Sequence, residues 1–106
     1  MLFEENYAEH SYWHERVWYA VREGGTWSEP IKVMDDHYHL GFNLALDSRN
    51  EPHVVMDGDD GAILYARLQG GSFVVERLIG VTGNGPDIAL DAEDNPHIVY
   101  GTDSAA

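Results

Sequence analysis

LALDSRNEPHVVM at residues 44–56 is answered by IALDAEDNPHIVY at residues 88–100, an offset of 44. A second pair, VWYAVREGGTW at residues 17–27 and ILYARLQGGSF at residues 63–73, repeats at an offset of 46. Each stretch is a short apolar run rich in β-branched and aromatic residues, closed by Gly, Pro, Asn or Asp, which is how strands and their turns are written. Self-similarity of strand-like units at a spacing of roughly 45 residues marks a repeat array rather than a one-off globule. The chain of 106 residues holds about two such units.

Around these matches four strands recur. Strand A falls at 43–47 and 87–91, strand B at 53–56 and 97–100, strand C at 17–21 and 63–68, and strand D at 27–33 and 73–79. The A–B turns, SRNEP at 48–52 and AEDNP at 92–96, are polar and end on a proline that stops the turn before strand B. Gly24-Gly25 and Gly70-Gly71 supply the positive φ that a tight C–D hairpin requires. Pro30 lies within the first strand D and donates nothing to a ladder, so strand D is expected at an outer edge.

Four antiparallel strands at this period, carrying Ala-Leu-Asp, then Pro-His-Ile/Val, then Leu-x-Tyr-Ala and Gly-Gly-x-Trp, resemble the blade repeats of β-propellers. The resemblance covers nearly all of residues 13–103 and implies an all-β fold of four-stranded antiparallel blades, about two per chain. It speaks to fold and not to function, since propellers host sialidases, lyases, lectins and scaffolds alike. It divides the chain into an N-terminal segment at 1–12, a partial blade at 13–43, a complete blade at 44–87, and an A–B pair at 88–106 that completes a neighbour's blade. Bare sheet edges invite pairing with another chain, and head-to-tail contacts close into rings when the rotation allows. A ring completed by homo-oligomerisation is therefore expected: a trimer of six blades in preference to a tetramer of eight. Residues 6–10 align with a further strand B slot, in competition with residues 97–100, and the sequence leaves open which of the two fills it.

Composition narrows the partners. Nineteen acidic residues against six basic ones give a formal charge of −13, with no basic stripe to neutralise phosphates or anionic lipid, so nucleic acid and membrane surfaces are excluded as expected partners. The acid surface keeps a strand-rich chain soluble. No apolar run approaches the roughly 18 residues that would span a bilayer, and residues 1–6 lack the features of a signal peptide. Zero cysteines remove disulfides, thiolate nucleophiles and thiolate zinc sites. That fits the cytoplasm and equally a secreted chain whose leader has been removed.

Two sets of residues are chemical candidates. The repeated pairs Asp47 with His53 and Asp91 with His97 place an acid at the end of strand A and a histidine at the start of strand B. Such a pair can act as a base or hold a metal. Recurrence in each unit favours a structural pin at the A–B corner, because a catalytic group is needed once. Residues that break the repeat are the better ligand candidates. MDDHYHLGFN at 34–43 has as its counterpart GVTGNGPD at 80–87, and SYWHER at 11–16 differs from DGDDGA at 57–62. In a propeller both connections emerge on one face, around the mouth of the channel. Trp13, His14, His37, Tyr38, His39, Asp57, Asp59 and Asp60 thus form the expected ligand-binding rim. His37 and His39 are the candidate ligands for a divalent metal, though zinc wants three or four donors; no other cofactor is expected. The acids at 57–60 lack the spacing and terminal glutamate of a calcium loop, so an Asp-Gly turn is the preferred reading there.

The aspartate box of sialidases, nucleophile elbows, phosphate loops and metalloprotease helices are absent from the sequence. The expected function is a non-enzymatic, self-assembling binding or scaffold module, lectin-like in having a glycan as its ligand. The alternatives are a carbohydrate-active propeller of sialidase or lyase type and a purely structural fragment. Symmetry favours the binder, because identical copies repeat a weak site several times but do not build one central site of different residues.

Overall fold

The computed structural model describes residues 1–9, 12–37, 41–58 and 61–102. Its strands are β1 (Leu2–Glu9), β2 (Tyr12–Tyr19), β3 (Arg22–Glu23), β4 (Thr26–Trp27), β5 (Ile31–His37), β6 (Phe42–Leu46), β7 (Pro52–Asp57), β8 (Ala62–Gln69), β9 (Ser72–Thr82), β10 (Asn84–Leu90) and β11 (Pro96–Gly101). The described residues contain no helix, and the protein is all-β.

The central unit is a four-stranded antiparallel sheet in the order β6-β7-β8-β9, each strand paired with its chain neighbour. On one side lies the sheet β1-β2-β5, and on the other the two-stranded sheet β10-β11. Strand periodicity explains the stacking, since alternate side chains leave opposite faces. Val54, Met56, Leu64 and Ala66 meet Val17, Tyr19 and Val33 in one buried cluster. Val55, Ile63 and Tyr65 meet Ile88 in a second, with Ala45, Leu78 and Ile98 packed against it. β7 and β8 therefore carry near-continuous apolar runs because both of their faces are covered.

The turns follow from backbone chemistry. Gly24-Gly25 and Gly70-Gly71 all take positive φ, between 59° and 87°, so both central positions of each hairpin are left-handed. In the A–B turns the left-handed position is held by Asn50 (φ 61°) and Asp94 (φ 64°), short polar residues that tolerate it. The first C–D hairpin is broken: β2 stops at Tyr19, β3 and β4 form its tip, and β5 begins only at Ile31, after Pro30. Proline removes the ladder donor at that point.

Within the single chain the N-terminal segment takes the strand B slot beside strand C of the first unit. β1 pairs with β2 from Leu2↔Tyr19 to Glu9↔Tyr12, and the Met1 amino group donates to the Ala20 carbonyl at 2.6 Å. Among the described residues the sheets do not close on one another. The molecule measures 48 × 38 × 21 Å with a radius of gyration of 14.5 Å, against about 13 Å for a compact chain of this length.

Candidate functional site

The corner between β6 and β7 is built around one carboxylate. Asp47 Oδ1 accepts the backbone N–H groups of Arg49 at 2.8 Å and Glu51 at 2.9 Å. The Asp47 backbone closes the same turn, donating to Glu51 O and accepting from Asn50 N. Asp47 Oδ2 lies 3.0 Å from His53 Nε2, and His53 Nδ1 lies 2.6 Å from the Tyr65 hydroxyl on β8. An ionised carboxylate only accepts, so Nε2 carries the proton and Nδ1 accepts from the phenol. The hydrogen bond from His53 holds the Asp47 carboxyl below its ordinary range, helped by the Glu51 and Arg49 amides. Burial pushes the Tyr65 phenol up and keeps it a donor.

The corner between β10 and β11 repeats this design. Asp91 Oδ1 accepts from Glu93 N at 2.8 Å and Asn95 N at 3.0 Å, and Oδ2 lies 3.0 Å from His97 Nε2. The His97 bond, then the amides of Asn95 and Glu93, hold the Asp91 carboxyl well below the usual carboxylate range. The environments differ. His53 and Asp47 side chains are 7% and 10% exposed, whereas those of His97 and Asp91 are 66% and 38% exposed.

Chemically, the buried chain from Tyr65 through His53 to Asp47 has both imidazole nitrogens committed. No lone pair of His53 remains for a proton on an incoming substrate, so the dyad works as a pin that locks the corner to β8. Beside it a cleft of about 280 Å³ is lined by Asp47, Arg49, Glu51, Arg67, Gln69 and Asp94, mixing two guanidinium groups with three carboxylates. Across its mouth the two A–B turns are tied together: Ser48 donates from its N–H to Asp94 Oδ1 at 2.9 Å and from its hydroxyl to Asp94 Oδ2 at 2.6 Å.

At the opposite end of the sheets lies Asp57, the one member of the expected rim whose side chain is described. Its carboxylate accepts from Gly41 N at 2.5 Å and Gly85 N at 3.1 Å, joining the entries to β6 and β10. Gly41 and Gly85 are themselves 44 residues apart, so Asp57 bridges equivalent points of successive units. The backbones of Trp13 and His14 belong to β2, and His37 ends β5, where it pairs with Glu15. Strand register thus brings Trp13, His14 and His37 to one end of the first sheet. Tyr38, His39, Asp59 and Asp60 lie outside the described residues. Among the described residues no group of three or more His, Cys, Asp or Glu is placed to hold a metal ion.

Three features of these sites were not read from the sequence. Tyr65 is signalled by its match to Tyr19 in the strand C repeat. The Ser48–Asp94 tie joins two turn positions that are not equivalent to each other, and the partners of Asp57 are backbone amides, which leave no side-chain signature.

No family model, curated protein or solved structure matches the chain.

Proposed function

We propose that the chain is a propeller-type repeat unit whose activity is to assemble with copies of itself into a closed ring, serving as a non-enzymatic scaffold or binding module. The observation that carries this reading is the contrast between two equivalent strands. Val55 on β7 is fully buried, while its repeat counterpart Val99 on β11 is 68% exposed; Tyr100, the counterpart of buried Met56, is 37% exposed. β11 pairs with β10 alone among the described residues, which leaves its outer edge bare.

The chain exposes 6848 Å², about 900 Å² more than the roughly 5,900 Å² typical of a monomer of 11.9 kDa, an excess in the direction that uncovered sheet edges give. Three copies making six blades is the favoured ring, and four making eight is the alternative. The rim around Asp57, with Trp13, His14 and His37, would then recur once per copy, which suits multivalent capture of a ligand such as a glycan.

The test is the native mass in solution, by light scattering after size exclusion. The expected result is three times 11.9 kDa. A monodisperse monomer at every concentration would overturn the reading.

A further inference from the structure

We propose that strand β11 of one copy pairs with strand β2 of a second, displacing that copy's own β1, and that Tyr19 of the second copy completes the Asp91–His97 site. This rests on the assembly reading above and names the segments and the register that would carry it.

The register comes from the central sheet. There β7 pairs with β8 as Val54↔Ala66 and Val55↔Tyr65, which sets Tyr65 diagonal to His53 and on the same face, where their side chains meet at 2.6 Å. β11 is the repeat of β7, and β2 with its continuation to residue 21 is the repeat of β8. Transferring the pairing sets Ile98 opposite Ala20 and Val99 opposite Tyr19, with Tyr19 diagonal to His97. The Asp91–His97 dyad already has the same hydrogen bonds to Nε2 and to the turn amides as its buried counterpart. Among the described residues no tyrosine stands to it as Tyr65 stands to the buried copy.

Three further observations agree on the occupant. Tyr19 packs with Val17 toward the central sheet, as Tyr65 packs toward β10, so both phenols face the same way in their units. A cleft of about 370 Å³ lined by Tyr65, Arg67, Val74, Glu76 and Pro96 runs beside β11, where an added strand on its outer edge would sit; Val74 there is 50% exposed. Finally, β1 holds the required edge of β2 with a sequence unrelated to the repeat, and it sets Leu2, not a strand B residue of the repeat, opposite Tyr19. β1 is a placeholder: the edge of β2 accepts either β1 or a second copy's β11, never both.

The experiment uses the full chain, which has no cysteine of its own. In the doubly substituted Ala20→Cys, Ile98→Cys protein the paired positions come within the roughly 4.4–6.8 Å between Cα atoms that a disulfide requires. Mild oxidation should give disulfide-linked dimers and higher multiples on a non-reducing gel, while each single variant gives none of the ladder. An oligomeric mass with no such cross-link would leave the ring standing and overturn this strand exchange. A monomeric mass would overturn both. Tyr19→Phe, which keeps the ring and its edge-on contact with Phe73, tests the completed site should the cysteines disturb folding. It should weaken assembly about five- to tenfold, as expected for a lost hydrogen bond to a buried imidazole; unchanged assembly would remove Tyr19 from the site.

Discussion

At the scale of single residues, the two Asp–His corners are one design in two environments, and they should respond differently to the same change. His53→Ala leaves the buried Tyr65 hydroxyl without its acceptor and should destabilise the fold by about 1–3 kcal/mol, measured as a lower urea midpoint. His97→Ala, exposed in the single chain, should leave the monomer's midpoint nearly unchanged. Both aspartates have pKa values depressed on folding, so each contributes stability that is present above the ordinary value of 3.8 and is lost as pH falls through the folded value. Urea midpoints between pH 5 and pH 2 should therefore fall as acid is added, and the fall should be shallower in Asp47→Asn. The acid and histidine of each corner were legible from the repeat itself. Tyr65 was not, because the A–B match and the C–D match run at different offsets, and the hydrogen bond crosses from one to the other.

At the scale of elements, legibility followed the repeat. β6 to β11 fall close to the expected positions, exposed β11 included, because each strand is written twice and its turns need left-handed residues; β7 and β8 are in addition apolar throughout because both of their faces are covered. The first unit departs where local chemistry interrupts it: Pro30 cuts strand D, and β1, placed by the strand C match as one of two candidates for the strand B slot, pairs with β2 in a register that the repeat does not predict. Close approach sets a further constraint at Gly83. A Cβ there would lie 2.5 Å from the Gly101 carbonyl oxygen and 2.6 Å from Tyr100 Cδ2. Gly83→Ala should thus cost about 1–3 kcal/mol and loosen β10–β11 first, seen as faster amide exchange at Ile98 while Val54 and Ile63 keep their protection. Asp57→Ala, which removes the acceptor shared by Gly41 and Gly85, should cost about 1 kcal/mol and lower the melting temperature by a few degrees.

At the scale of the whole molecule, the exposed face of β11 is the feature that separates this chain from a finished globule. Val99→Lys should leave the folded monomer intact, since Val99 contributes almost nothing to its core, yet abolish the proposed ring by setting an ammonium against an apolar partner. Light scattering and circular dichroism on the same sample distinguish that outcome from unfolding.

The tie between Ser48 and Asp94 bears on how such a ring would come apart. Within one chain, the hydroxyl and amide of Ser48 clasp the carboxylate of Asp94. Across the junction between copies, the equivalent positions are Ala92 and Asn50, with no hydroxyl and no charge. Firm seams and soft seams would then alternate around the circle. Under mechanical or thermal load the soft ones would part first, and the ring would shed whole, still-folded subunits that can rejoin instead of unravelling from an arbitrary point.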